Sequence, residues 1–180
     1  MRPSPSYPAP LTTVRLIRPA GATAPQLPAT APALEVMTDF AADTPHVVTA
    51  DRPIDEALRD MIVFGVRLLL VVRDVDVIGV VTSYDIQGER PIQFLHDPFR
   101  SATPHRHVDV TVGDIMTPIR DLRPLRYRWV IGASVGDVAE HFRATSDMHL
   151  LVAADDGTEQ GAVIRGVFSR TRLDRQLGHP

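Results

Sequence analysis

The chain of 180 residues contains no cysteine and no lysine. The lack of cysteine excludes disulfides, thiolate metal ligands and a cysteine nucleophile. The lack of lysine excludes Schiff-base chemistry and the lysine of a phosphate-binding loop. There is also no run of about 18 apolar residues, so no membrane-spanning helix is predicted. The first residues lack the apolar stretch of a signal peptide, and with the lack of cysteine this favours a cytoplasmic location.

The composition is that of a globular protein that can bury a core, with 44% hydrophobic and 23% charged residues. All 19 basic residues are arginines, and residues 1–34 carry three of them without a single acidic residue. The remainder of the chain is therefore acidic, which argues against nucleic acid as a partner. Four arginines between positions 120 and 128 form a local basic segment, which we interpret as a solvated loop.

The dominant feature is an internal repeat. Val-Met-Thr at 36–38 opens a stretch that closes on Gly-Val-Val-Thr-Ser-Tyr-Asp at 79–85. Ile-Met-Thr at 115–117 opens another, which closes on Gly-Val-Phe-Ser-Arg-Thr-Arg at 166–172. A repeat of this length predicts one supersecondary unit that is used twice.

Each copy predicts the order β-α-β-β-α. In the first copy, Asp51 is the expected N-cap of a helix that Gly65 ends, and its apolar stripe consists of Ile54, Ala57, Leu58 and Met61. Two strands at 66–72 and 77–81 follow, and Thr82 or Ser83 caps a second helix.

The second copy keeps this order. Residues 111–114 form a capping box, 128–130 predict a strand, and 134–144 predict the helix. Its additional residues fall in loops, where insertions are tolerated.

These patterns predict four segments along the chain. Residues 1–33 are a flexible tail rich in proline and alanine, 34–88 the first domain, 89–110 a linker and 111–180 the second domain. Within the tail, residues 12–17 are β-prone, and we expect them to add a strand to an exposed sheet edge.

The doubled pattern over residues 34–177 resembles the cystathionine-β-synthase (CBS) domain family, and two copies in tandem resemble a Bateman module. The resemblance implies an α/β (α+β) fold with two repeats packed about a pseudo-twofold axis. It also implies a cleft between the two copies that binds AMP, ADP, ATP or S-adenosylmethionine as a regulatory ligand, with no required cofactor, no catalysis and a homodimeric assembly. The alternative is a ligand-free scaffold that binds an unidentified protein.

The resemblance implies these ligand-binding residues: Thr82, Ser83, Asp85, Val47, Val48, Val66 and Arg67. The hydroxyls and free N–H groups at the helix start suit a phosphate, and Asp85 can accept hydrogen bonds from both ribose hydroxyls. The valines would sandwich the adenine, and Arg67 would reach the base or a phosphate. A purely structural interpretation also stands, in which Thr82 or Ser83 caps a helix and Asp85 favours its dipole.

The second copy differs at one chemically important position, because Arg172 stands where Asp85 stands in the first. An arginine cannot accept a hydrogen bond from a diol. The second site is therefore either empty or an anion site made by Ser169 with Arg170 or Arg172. We predict one nucleoside site per chain.

Other motifs predict no catalytic or metal residue. Gly-Ala-Ser-Val-Gly at 132–136 matches a hydrolase nucleophile elbow, but Ser134 with Asp137 is also a capping box. The linker histidines at 96, 105 and 107 lack cysteine partners and are interpreted as solvated. His149 replaces Leu68 of the first copy and is expected to be a structural histidine.

Overall fold

A computed structural model describes residues 26–96, 106–155 and 161–178 of the chain. It contains two four-stranded sheets with the orders β2-β3-β4-β5 and β1-β8-β7-β6. The strands are β1 (Thr38–Asp39), β2 (Val47–Thr49), β3 (Leu68–Arg73), β4 (Asp76–Thr82), β5 (Thr117–Pro118), β6 (Leu125–Arg126), β7 (His149–Asp155) and β8 (Ala162–Ser169). The helices are α1 (Ile54–Phe64), α2 (Ser83–Gln87), α3 (Arg90–Leu95), α4 (Val112–Ile115), α5 (Tyr127–Gly132), α6 (Val135–Ala144) and α7 (Arg170–Leu177). None of these helices is long and apolar enough to cross a membrane.

The two sheets repeat one topology. In each, a short strand lies parallel to the first strand of an antiparallel hairpin, as β2 does on β3 and β6 does on β7. The hairpin registers also match, since Leu68 lies opposite Thr82 and His149 lies opposite Ser169. The predicted fold class, two β-α-β-β-α repeats, is confirmed.

Helix α1 forms where the apolar stripe predicts it, with Ile54, Ala57 and Met61 buried. Gly65 ends it in the left-handed conformation, with φ of 68°. The predicted cap is wrong, however: Pro53 is the N-cap residue. The Asp51 carboxylate instead accepts a hydrogen bond from the Thr49 side chain, which lowers the pKa of Asp51.

The N-terminal segment of each repeat packs on the other repeat. Strand β1 pairs with β8, and β5 pairs with β4, both antiparallel. The core of the second sheet accordingly includes Ala33 and Val36, whereas the core of the first includes Val112 and Ile115. The predicted boundaries, 34–88 and 111–180, therefore do not separate the packing units, because each unit is completed by a segment from the other repeat.

Two predicted irregular segments also contain ordered contacts. Residues 26–33 of the predicted tail pack on the second repeat, where the Leu27 N–H donates to the Gln176 carbonyl at 2.9 Å and Ala33 is fully buried. The prediction of a tail to residue 33 is wrong for this part, and residues 12–17 lie outside the described residues. The predicted linker 89–110 contains α3 and a 3-10 turn at His107–Asp109.

The strand predicted at 128–130 is also wrong, because this segment belongs to helix α5. Tyr127 and Val130 face the core, whereas Trp129 and Ile131 are exposed. A spacing of three between inward-facing residues fits a helix, and a strand would require a spacing of two. The parallel strand of this repeat is β6, immediately before.

Residues of both sheets meet in a central apolar cluster that includes Leu70, Val80 and Leu151. Two clefts that draw residues from both repeats open beside this cluster. Any ligand bound in either cleft would therefore contact both halves of the molecule.

Candidate functional site

Thr82 and Asp85 form a closed capping box at the end of β4. The Thr82 N–H and hydroxyl donate to Asp85 Oδ2 at 2.8 Å and 2.7 Å, and the Asp85 N–H donates to Thr82 Oγ1 at 3.2 Å. This arrangement confirms the predicted capping role of Thr82. It also orients the carboxylate rigidly, with Oδ2 already accepting two hydrogen bonds.

The second carboxylate oxygen of Asp85 is also engaged. Arg90 Nε lies 3.2 Å from Asp85 Oδ1, and Arg90 Nη1 donates to the Ile115 carbonyl at 2.7 Å and to Thr117 Oγ1 at 2.9 Å. The Asp85 side chain is only 14% exposed. Arg90 thus connects the carboxylate to the strand that the second repeat contributes to this sheet.

The first cleft, about 350 Å³ in volume, is the one that contains Thr82 and Asp85. Most of its remaining wall comes from the second repeat, namely residues 121–124 and 146–151, with Leu68, Val80, Tyr84, Arg90 and Thr117 completing it. The sequence analysis expected a cleft between the copies but missed these second-repeat residues, because it named ligand-binding residues for the nucleoside in the first copy only. The pseudo-twofold axis of the repeat is the signal that could have found them, because it brings residues of the second repeat opposite Asp85.

The predicted apolar partners of Asp85 do not line its cleft. Val47 is half exposed, Val48 is buried in the core of the first sheet, and neither lines either cleft. Val66 and Arg67 line the other cleft. Ser83 does not line the first cleft, and its N–H donates to the Arg67 carbonyl at 3.0 Å.

The second cleft, about 650 Å³, contains Ser169 and Arg172. Three guanidinium groups line it, those of Arg67, Arg172 and Arg175, and Arg172 Nη1 donates to Thr38 Oγ1 at 3.0 Å. The Ser169 hydroxyl makes no cap hydrogen bond at the start of α7. Asp43, on the facing loop, is the one carboxylate among the described lining residues.

Arg170 does not belong to this cleft, which corrects its predicted role as an anion ligand. Its Nη2 donates to the carbonyls of Phe142 and Thr145, the latter at 2.7 Å, and its Nε donates to the Asp147 carbonyl at 3.0 Å. The guanidinium also lies over the Phe142 ring, 5.3 Å from its centroid. Arg170 therefore satisfies the carbonyls at the end of α6.

His149 lines both clefts, as does Leu68, its counterpart in the first repeat. Its Nδ1 is buried and has no hydrogen-bond partner. Burial lowers the pKa of His149 to about 4, the positive charge of Arg67 adds to this effect, and the negative charge of Asp85 opposes it. His149 is therefore a neutral imidazole between the two clefts at neutral pH.

The remaining motifs have structural explanations. The Ser134 N–H and hydroxyl donate to Asp137 Oδ2 at 2.8 Å and 2.7 Å, and these bonds lower the pKa of Asp137. The serine of the elbow-like motif is thus the N-cap of α6. Over the described ranges, no group of three or more His, Cys, Asp or Glu residues could hold a metal ion.

Comparisons with known proteins find one family model and several solved structures that are similar to this chain. The CBS domain family model matches residues 33–90. The AMP complex of CBSX2, a CBS-pair protein of Arabidopsis thaliana, is 23% identical, with a TM-score of 0.52 over 81% of this chain and 94% of that chain. An uncharacterized conserved protein of Pyrococcus horikoshii is 26% identical, with a TM-score of 0.55 and coverages of 82% and 92%.

A third similar structure is the CBS domain pair of protein MJ0100 in complex with 5′-methylthioadenosine and S-adenosylmethionine. It is 17% identical, with a TM-score of 0.53, and the match covers 84% of this chain and 98% of that chain. No curated protein matches the chain. The match to the CBS domain family model covers the first repeat, and the chain as a whole has the fold of a tandem CBS pair, a Bateman module, as the sequence resemblance predicts.

Proposed function

We propose that this chain is a non-catalytic, cytoplasmic regulatory module that binds an adenosine-containing ligand in the first cleft. The candidates are AMP, ADP, ATP and S-adenosylmethionine. The observation that carries the proposal is the position of Asp85, a nearly buried carboxylate oriented by Thr82 at the floor of a cleft between two CBS repeats. Similar folds in complex with AMP or with S-adenosylmethionine support it.

The chemistry of the cleft suits a nucleoside. Its volume lies within the range of small-ligand sites, roughly 300 to 1,000 Å³. Asp85 supplies acceptors for the ribose hydroxyls, and Leu122, Pro124 and Met148 supply apolar surface for the base. These three residues replace the valines of the sequence-based hypothesis.

The second cleft is proposed to hold an anion rather than a nucleoside. Arg67, Arg172 and Arg175 provide donors in the fork geometry that matches phosphate, and Ser169 adds a hydroxyl. The position in α7 that corresponds to Asp85 is occupied by Arg172. The carboxylate of Asp43 lies on the facing loop instead. A stoichiometry of one adenosine ligand per chain supports this assignment, and two per chain would contradict it.

Regulation requires that the ligand bind two states of the module with different affinities. A ligand in the first cleft contacts the end of β4 from one repeat and the start of β7 from the other. Closing these walls on the ligand would change the relation between the repeats, and a partner protein would sense that change.

Calorimetric titration with the four ligands tests the proposal. Asp85→Asn removes the charged acceptor and should weaken binding at least about tenfold, since hydrogen bonds to charged groups contribute ~1.5–3 kcal/mol. Asp114→Asn is the matched control. Its capping box with Thr111 has nearly the same geometry, 2.9 Å and 2.7 Å, but lies outside both clefts, so binding should not change. An Asp85 variant with unchanged affinity would refute the site.

The second candidate function is the ligand-free scaffold, which one observation favours: both oxygens of Asp85 already have protein partners. No detectable binding of any of the four ligands would support the scaffold.

In either case we propose a homodimer, supported by the exposed apolar side chains of Ile62, Val63 and Phe64 at the end of α1. Analytical ultracentrifugation gives the molecular mass in solution, and we expect twice the mass of one chain.

A further inference from the structure

Arg90 is the residue that a ribose would have to displace. It is the first residue of α3, and its guanidinium joins Asp85 Oδ1, the Ile115 carbonyl and Thr117 Oγ1. Asp85 Oδ2 meanwhile accepts both bonds of the capping box. A diol that binds both carboxylate oxygens therefore competes with Arg90 for Oδ1.

The contacts of Arg90 allow it to release Asp85 without leaving the cleft. Nε holds the carboxylate, whereas Nη1 is anchored separately on Ile115 and Thr117. Arg90 and Thr117 both line the first cleft, and the Arg90 side chain is 43% exposed. A rotation of the exposed guanidinium would take Nε off Asp85 while its positive charge remains at the cleft wall.

Net charge does not by itself select the ligand. Three carboxylates line the first cleft, those of Asp85, Asp121 and Asp147, against the guanidinium groups of Arg90 and Arg123. Arg123 Nη1 is already directed to the carbonyls of Arg120 and Leu122. Of these two guanidinium groups, that of Arg90 is the one that contacts Asp85.

We infer that Arg90 is a specificity-determining residue that favours phosphorylated adenosine ligands over neutral or cationic ones; this inference rests on the proposed function. Any adenosine ligand must break the Arg90–Asp85 pair. A ligand with a 5′-phosphate restores a charged partner to the guanidinium. Adenosine offers no such partner, and the sulfonium of S-adenosylmethionine is repelled by it.

Comparison of adenosine and AMP binding tests this role, with affinities measured by calorimetry for wild-type protein and Arg90→Gln. Removing the competing cation should tighten adenosine binding about twofold to fivefold, the range of a half-exposed ion pair. It should weaken AMP binding by a similar factor, because the phosphate loses its partner. S-adenosylmethionine should behave like adenosine.

Two further variants complete the experiment. Arg120→Gln is the control, since Arg120 is 82% exposed beside the first cleft without lining it, and both affinities should stay unchanged. Arg90→Lys keeps a positive charge at the cleft wall for the phosphate, so AMP should still bind more tightly than adenosine, as in the wild type and unlike in Arg90→Gln.

The outcomes separate this inference from the proposed function. If both ligands bind in an Asp85-dependent way but Arg90→Gln leaves the ratio of their affinities unchanged, or weakens both equally, the role of Arg90 is refuted and the site stands. If neither adenosine nor any of the four candidate ligands binds to wild type or Arg90→Gln, the proposed function and this inference are both refuted. A change of the two affinities in opposite directions supports both.

Discussion

Replacing His149 with leucine should change how the stability of the protein depends on pH. His149 begins β7, opposite Ser169, and its counterpart in the first repeat is Leu68. Leucine is therefore compatible with this position in the fold. The substitution removes a buried Nδ1 that has no partner and a histidine whose pKa is lowered to about 4 from 6.5.

The sign and size of the effect follow from proton linkage. Because the pKa of His149 is lower in the folded protein, the unfolded chain takes up the proton first as the pH falls below about 6.5. The free energy of unfolding therefore decreases through the window down to about pH 4, and this contribution is constant above 6.5. A shift from 6.5 to about 4 corresponds to at most ~3.5 kcal/mol at 1.36 kcal/mol per pKa unit.

Urea unfolding, measured at several values between about pH 7.5 and pH 4.5, gives the required slopes. Wild type should lose stability across this range, and His149→Leu should lose much less and be more stable at neutral pH. His141→Gln, at an exposed position on α6, should retain the wild-type slope. The lowered pKa values of Asp51 and Asp137 act below their usual 3.8, outside this window. Equal slopes for wild type and His149→Leu would refute the reasoning.

Two further predictions concern stability, measured by the same unfolding experiments at neutral pH. Arg170→Gln should destabilise the protein by ~2–3 kcal/mol, because partly buried carbonyls at the end of α6 lose a charged donor. The control Arg172→Gln should cost under ~1 kcal/mol, since Arg172 makes one exposed hydrogen bond to Thr38. Equal losses for the two variants would contradict the capping role of Arg170. Gly79→Ala should destabilise by more than ~2 kcal/mol, because its Cβ would lie 2.6 Å from the Thr117 carbonyl oxygen, whereas Gly132→Ala in α5 meets nothing within 4 Å and should be neutral or stabilising. Equal stability of the Gly79 and Gly132 variants would show that β5 is not tightly packed against β4.

Local signals predicted the elements well where one segment decides its own structure. The apolar stripe of α1, its end at Gly65, the cap at Thr82 and the capping box of Ser134 depend on residues within about one helical turn. The failures are also local in origin. Asp51 is a residue type that favours the N-cap position and it precedes a helix, and the strand predicted at 128–130 follows from the order of elements in the first repeat.

The candidate site was predicted only in part. Thr82 and Asp85 could be found because the motif that carries them recurs, altered, at Ser169 and Arg172. Their apolar partners could not be found within one copy, because the cleft wall opposite Asp85 comes from residues 121–124 and 146–151. Arg170 was predicted as an anion ligand since a sequence shows a charge but not the carbonyls that it binds.

The sequence by itself determined the repeated unit, its type of fold and the asymmetry between Asp85 and Arg172, because periodicity, caps and residue chemistry are properties of single segments. Only the tertiary structure decided that β1 pairs in the sheet of the second repeat and β5 in that of the first, which residues of each repeat line the two clefts, and that Arg90 covers Asp85. Those features depend on contacts between segments far apart in the chain. Their geometry is set by how the two sheets pack, and no local pattern in the sequence records it.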